Sequence, residues 1–436
     1  MTYCYIIIPI FFATCTEFNM TAILIIFILA YVFIVTEQYT RIDKAVPALI
    51  AGVLCWSVMY MDNEQEATAK LQHHFSGIAE ILFFLVGAMT IVELIDAHKG
   101  FQLITNWLPL SNPLRLMLVM AALTFFLSAV LDNLTTAIVM CSISARINKE
   151  QELRWIYASL IVIAANAGGV WSPIGDVTTT MLWIGHRITA SALLTETFIP
   201  AMISLIVPII ILWPRLKKFS RQSFDSVSDQ QILFRSSAPM LWLGFASMLS
   251  VPILKSITGI PPFLAMMIAL AVLWAISEFI DPCIYPDDAE LKRELSIRQA
   301  MTRIEMPGIL FFLGILLAVA ALESSGQLHA LAENLSGQFG SLSYVAGIMG
   351  LLSAVIDNVP LVAAAMNMYL LPQDDHFWSM LAYCAGTGGS ILIIGSAAGV
   401  AAMGIEKISF VWYLKRISLA AFAGYLAGFA WFMLQR

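Results

Sequence analysis

The sequence predicts an all-α polytopic membrane protein built as an inverted-topology repeat, with two opposed re-entrant hairpins and two broken transmembrane helices. Three observations lead there. The 436-residue chain is 60% hydrophobic and only 12% charged, about half the charged fraction of a soluble globular chain, and its mean hydropathy is +0.84. Apolar runs of about 20 residues, enough to cross a bilayer, recur from end to end. Finally, SAVLDNLTTA at 128–137 returns as SAVIDNVPLV at 353–362, 225 positions later. The net charge of −6 says little about partners in such a chain, because the placement of charges matters more than their sum. Cys4, Cys15, Cys55, Cys141, Cys283 and Cys384 are scattered without a CxxC pair, so neither a disulfide framework nor a zinc site is indicated.

Taken in order, residues 1–20 form an apolar segment without a basic n-region, and so read as an extra or irregular first helix rather than a cleaved signal peptide. The first repeat, 21–213, holds elements at 21–36, 46–61, 79–97, 116–147, 156–184 and 192–213. A polar stretch, 214–237, is the cytoplasmic linker. The second repeat, 238–434, holds elements at 238–258, 262–280, 306–323, 340–370, 378–404 and 417–434. Segment 282–304 reads as a short surface helix with Pro286 near its start. Segments 116–147 and 340–370 are too long for one crossing and are interrupted by DNLTT and DNVP. Each therefore reads as a hairpin whose two flanks share one side of the membrane.

Charge placement supports this. Lys99 and Arg115 precede the first hairpin, and Arg146, Lys149 and Arg154 follow it, so both flanks are cytoplasmic by the positive-inside rule. The flanks of the second carry no Lys or Arg and are external. Threaded this way, 19 of the 23 basic residues are cytoplasmic and only Lys70, Arg187, Lys255 and Arg436 are external. Each half then has an odd number of crossings, so the halves run in opposite directions, and both DN tips point to the midplane.

A second pair of stretches matches as well. NAGGVWSPIGDVTTTM at 166–181 and GTGGSILIIGSAAGVAAM at 386–403 align Gly168-Gly169 with Gly388-Gly389 and Gly175 with Gly395, at an offset of 220. Gly and Pro173 in mid-segment mark unwound backbone, tolerated at membrane depth only inside protein or along a cavity. Its exposed carbonyls suit a hard cation.

The chemistry follows from Asp132, Asp176 and Asp357. A carboxylate at the bilayer centre is costly, by about 2.5–3.5 kcal/mol on insertion scales. Buried like charges cannot all stay ionised without a partner. No Lys or Arg lies at the midplane to neutralise them, so a proton and a metal cation compete for the same oxygens. If only loaded or protonated forms switch access, obligatory exchange results. Each acid has a blander reading as a hairpin or helix cap. Asn133 and Asn358 are either ligands or caps, and Thr178, Thr179, Ser353, Ser390 and Ser396, like Ser128, are either ligands or small packing residues. Glu93 and Glu323, near the ends of apolar helices, belong to a proton pathway or snorkel to the interface. Glu80 sits at an expected helix start, and His98 is expected to be an exposed loop residue. The GxxxG at Gly424–Gly428 is a packing signal. No HExxH or GxSxG constellation occurs, which argues against an enzyme. The expected partners are lipid and small inorganic cations, not nucleic acid.

SAVLDNLTTA, NAGGVWSPIGDVTTTMLWIG, SAVIDNVPLVAAAM and GTGGSILIIGSAAGVAAMG together resemble the NhaD-type sodium/proton antiporters, and FFLVGAMTIVELIDAHKGF is also similar to them. The resemblance covers roughly residues 40–434. It implies exchange of cytoplasmic sodium or lithium for external protons across a bacterial inner membrane, by a homodimer with no cofactor. It also implies roles for Asp132, Asn133, Asn166, Asp176, Thr178 and Thr179, and for Ser353, Asp357, Asn358, Ser390 and Ser396. A competing expectation is a dicarboxylate or arsenite transporter on the same scaffold, against which the acidic hairpin tips argue.

Overall fold

The computed structural model describes residues 20–34, 36–108, 113–147, 150–217, 234–284 and 289–435. Residues 1–19 of the N-terminal apolar segment, residues 218–233 of the linker, and Pro286 lie outside these. Among the described residues there are helices and turns but no strand. In chain order the principal helices are α1 (Met20–Ile34), α2 (Ala45–Asp62), α3 (Glu64–Ala97), α4 (Pro113–Leu131), α5 (Asn133–Ile147), α6 (Gln151–Gly169), α7 (Val177–Ile184), α8 (Ala190–Lys217) and α9 (Ser237–Thr258). They continue with α10 (Pro262–Ile284), α11 (Met306–Ser324), α12 (Gln327–Phe339), α13 (Leu342–Leu352), α14 (Asn358–Met368), α15 (His376–Gly388), α16 (Ala397–Glu406), α17 (Phe410–Arg416) and α18 (Ser418–Leu434). Seven of the described helices are long and apolar enough to cross a membrane, or eight if α16 and α17, bent by 112°, form one span. The chain is a multi-pass membrane protein.

Some elements differ from the sequence reading. Expected at 79–97, α3 begins at Glu64, so Glu80 sits mid-helix rather than at a helix start. Polar residues at 64–74 hid the extension, since they break the apolar run without breaking helix propensity. His98 is fully buried rather than exposed, with Nδ1 2.9 Å from Leu94 O and its own carbonyl accepting from Ser237 Oγ at 2.6 Å. The surface segment is two short helices, Ala289–Leu295 and Ile297–Met301, separated at Ser296.

The chain forms two compact units. One comprises Met1–Leu82, Glu305–Gly340 and Ala363–Leu370. Here α2 packs on α11, and Trp56 Nε1 donates to Leu317 O at 2.9 Å. Ile25, Ile28, Leu29 and Val32 of α1 are each more than half exposed. Apolar exposure of this kind is a liability in water but suits contact with lipid tails. Glu323 lies in this unit, its Oε2 3.6 Å from His74 Nδ1, while His74 Nε2 is 3.2 Å from Ser324 Oγ.

The other unit comprises Phe83–Ile304, Ser341–Val362 and Leu371–Arg436. In it α4 packs on both α5 and α6, α13 packs on α15, and α16 lies against α5 and α6. Two crossings are made possible by missing side chains. A Cβ on Gly168 would collide with Phe125 O of α4, and one on Gly388 with Gly350 O of α13. The GxxxG of α18 does the same against α8, where a Cβ on Gly428 would come 2.7 Å from Pro200 O.

Candidate functional site

The long apolar segments break where the sequence places Asp and Asn. α4 ends at Leu131 and α5 starts at Asn133, with Asp132 between them in the left-handed region at φ +87°. Few L-residues adopt this conformation, and Asp is among those that do. Its carboxylate caps α5: Oδ1 accepts from Thr135 N and Oδ2 from Thr135 Oγ1, both at 2.8 Å. In the second DN stretch, Asp357 occupies the corresponding position before α14, and its Oδ1 accepts from Val359 N at 3.4 Å.

The two broken helices are built alike. α6 ends at Gly169, and α7 starts after Asp176, whose Oδ1 accepts from both Thr178 N and Thr178 Oγ1 at 2.8 Å. α15 ends at Gly388, and α16 starts after Ser396, whose Oγ accepts from Gly399 N at 3.2 Å. Asp and Ser are both strong N-caps. The carbonyls freed by the first break are partly spoken for: Thr179 Oγ1 donates to Ser172 O at 2.7 Å and Thr180 Oγ1 to Pro173 O at 2.9 Å. Two of the carbonyls expected to be open to a cation therefore hold threonine hydroxyls.

The centre of the arrangement is Asp176, buried at 2% exposure. Asn133 Nδ2 donates to Asp176 Oδ2 at 2.6 Å, and Asn358 Nδ2 reaches the same oxygen at 3.2 Å. The two amides stand at the starts of α5 and α14 and both reach the Asp176 carboxylate, so neither is a pure helix cap. Asn133 Nδ2 also donates to Asn166 Oδ1 at 3.1 Å, and Asn166 Nδ2 donates at 2.8 Å to both Ser390 Oγ and Ser396 Oγ. Because every hydrogen of the Asn133 and Asn166 amides has an acceptor, their orientations follow from the network. The Oδ1 atoms of Asn133 and Asn358 take part in none of these bonds. Asp132 and Asp357 each lie within electrostatic range of Asp176. Among the described residues, no three His, Cys, Asp or Glu side chains are grouped closely enough to hold a metal ion. The oxygen donors beside Asp176 are thus amides and hydroxyls as much as carboxylates.

Ser353 plays a different part. Its Oγ donates to Ala385 O at 2.6 Å, as Ser128 Oγ does to Ala165 O at the same distance. The two bonds tie α4 to α6 and the end of α13 to α15. Glu93, half-buried on α3, has Asp96 and Arg303 as its charged neighbours and lies outside the hydrogen-bonded set. Glu323 belongs to the other unit. Sequence reasoning missed Tyr413, whose hydroxyl donates to Ser390 O at 2.8 Å and anchors the second break; a tyrosine in a short helix beyond a bend carries no local signal of that role. Replacing Ser396 by Ala removes the cap of α16 and one acceptor of Asn166. A loss of about 1 kcal/mol is expected, read as a lower midpoint in thermal unfolding of the detergent-solubilised protein.

Residues 31–381 match the family described as "Citrate transporter" (CitMHS). The chain is 42% identical over 412 residues to "Sodium/proton antiporter 2" of Arabidopsis thaliana, covering 93% of this chain and 97% of that protein. It is 30% identical over 422 residues to "Na(+)/H(+) antiporter NhaD" of Vibrio cholerae, covering 90% and 87%. It is also 30% identical over 459 residues to the protein of the same name in Alkalimonas amylolytica, covering 97% and 93%.

Proposed function

The chain belongs to the NhaD-type sodium/proton antiporters, and from that membership we propose that it exports cytoplasmic sodium or lithium in exchange for external protons, by competition at Asp176 with Asp132 and Asp357 flanking it. Sodium/proton exchange itself follows from the family; it is transport, not enzymatic turnover. One observation carries the finer reading: the buried Asp176 carboxylate is addressed by one amide from the start of α5 and one from the start of α14.

With the proton bound, Asp176 is neutral and its burial carries no charge penalty. With the proton lost, the carboxylate needs a counter-charge, because the groups around it are neutral amides and hydroxyls. Sodium prefers hard oxygen donors. The Asp176 oxygens, the Oδ1 atoms of Asn133 and Asn358, and the hydroxyls of Thr178, Ser390 and Ser396 are of that kind. Thr179 and Ser353 shape the site through backbone bonds. Asn166 joins the halves. Glu93 and Glu323 are proposed as proton-pathway residues, supported by their place on apolar helices. The two opposed hairpins and the inverted repeat are the proposed frame, supported by the recurring DN and Gly-Gly stretches and by the sorting of basic residues. The proposed location is a bacterial inner membrane, with the bacterial relatives as support, and the proposed assembly is a homodimer.

The description "Citrate transporter" raises an anion as cargo. Among the described residues no Lys or Arg pairs with Asp176, and a site centred on such a buried carboxylate repels citrate, so the cation reading is preferred. The test is cation-induced collapse of ΔpH in inverted vesicles from an antiporter-deficient bacterium. Sodium, lithium, potassium and citrate are added in turn, to wild type and to Asp132→Asn and Asp357→Asn. Collapse by sodium or lithium in wild type alone is expected. A response to citrate and to no cation would overturn the reading. Competition makes a further prediction: half-saturating sodium rises as pH falls, by up to about tenfold per pH unit for each competing proton. A half-saturation independent of pH would exclude a shared site.

A further inference from the structure

Asp176 and Ser396 sit at the near ends of two short helices, and the far ends of those helices are fastened. α16 runs ten residues from its Ser396 cap to Glu406. There Arg154, in the first turn of α6, donates through Nε to Glu406 Oε2 at 2.8 Å, and its Nη2 lies 2.7 Å from the same oxygen. Trp155 Nε1 donates to Glu406 O at 2.9 Å. The Glu406 side chain is fully buried, and its second oxygen has no hydrogen-bond partner, so its charge is compensated by Arg154.

The other broken helix is fastened in a related way. α7 runs eight residues from its Asp176 cap to Ile184, and the loop after it meets Asp374, just ahead of α15. Asp374 N donates to Arg187 O at 2.9 Å, and Thr189 N donates to Asp374 Oδ1 at 2.6 Å. The Arg187 guanidinium lies 5.3 Å from the Trp378 ring. Arg154 and Asp374 are 220 positions apart, the same offset that relates Gly168 to Gly388. Each fastening joins the start of one broken helix to the end of the other, one by a basic side chain and one by an acidic one.

We propose that Arg154 and Asp374 are positioning residues for the transported cation: by pinning the far ends of α16 and α7, they set where Ser396 and Asp176 stand relative to Asn166 and Asn133. A helix is stiff along its axis, so a shift at Glu406 moves Ser396 with it. The 2.8 Å bond from Asn166 to Ser396 tolerates only a small displacement before it weakens. The proposal rests on Asp176 being the cation site.

The test reads half-saturating sodium and maximal rate separately, in inverted vesicles carrying matched amounts of extracted, folded protein. Arg154→Met removes the ion pair to Glu406, and Asp374→Gly removes the carboxylate that accepts from Thr189 N while keeping the backbone bond to Arg187 O; glycine tolerates the φ of +63° at that position, so backbone strain does not confound the second. Each is expected to raise half-saturating sodium about tenfold with maximal rate within about threefold, because the ligands are displaced rather than removed. Arg154→Lys and Asp374→Asn, which keep a donor and an acceptor respectively, are expected to return most of the affinity. Variants that lower only the protein amount or the maximal rate would make the fastenings merely structural and overturn the proposal. So would an unchanged half-saturation in a sodium-responsive protein. A wild type that ignores sodium would instead overturn the cation reading, and the proposal with it.

Discussion

Asp176→Asn is expected to abolish sodium-driven proton exchange, by at least about 100-fold, while leaving the protein folded. The substitution separates two roles of one side chain. As an N-cap, Asn accepts from a backbone N–H about as well as Asp does, so the bond from Thr178 N to Oδ1, 2.8 Å long in the wild type, has a replacement acceptor. What changes is the other oxygen. Asp176 Oδ2 accepts from Asn133 at 2.6 Å and from Asn358 at 3.2 Å, whereas the corresponding Asn group is a donor facing two donors. The charge that would hold a cation or a proton is lost as well. Vesicle ΔpH collapse reads the exchange, and size-exclusion elution with a thermal melt reads the fold. Folded protein with near wild-type exchange would move the ion site away from Asp176 and leave it a cap.

Gly388→Ala is expected to cost more stability than any single hydrogen-bond deletion in the site. A Cβ there would collide with Gly350 O and lie 2.7 Å from the Gly350 carbonyl carbon. Those atoms are backbone of α13 and cannot rotate aside as a side chain could. Overpacking of this sort costs about 1–3 kcal/mol and can cost more where nothing yields. The crossing of α13 and α15 also carries the bond from Ser353 to Ala385 O, so opening it would disturb the end of α13 that leads to Asp357. Gly404→Ala is the matched control: it lies within α16 with nothing within 4 Å of the added atom, and Ala is favoured over Gly in a helix by about 1 kcal/mol. Thermal unfolding in detergent should show a lower midpoint for Gly388→Ala and an equal or higher one for Gly404→Ala. Equal midpoints for both would mean that the α13–α15 crossing can relax.

Much of this frame was legible in the chain. Both interruptions at Asp-Asn, both Gly-Gly breaks and the chemistry of the polar residues are local features, and local signals survive in one dimension. What escaped was the destination of each side chain. Ser128 and Ser353 looked like candidate ligands, yet each bonds a backbone carbonyl more than 30 positions away. Asn133 and Asn358 reach Asp176 across 43 and 182 positions. Such pairings depend on how helices cross, and hydropathy carries no record of that. His98 was misjudged for the same reason: a histidine beside a lysine and a glycine resembles a loop residue, but Ser237 of α9 covers it.

The cap positions of the two broken helices, 220 residues apart, carry different chemistry: an acid at Asp176 and a hydroxyl at Ser396. A duplicated unit that kept both acids would set one buried charge against another across the Asn166 amide. With serine at the second cap, Asp176 is the one carboxylate among the two caps, addressed by amides from two different helices. Ancestry by doubling would thus have yielded one specialised copy and one auxiliary copy rather than two equivalent sites. A reconstructed ancestor with acids at both positions should carry a different number of ions per cycle.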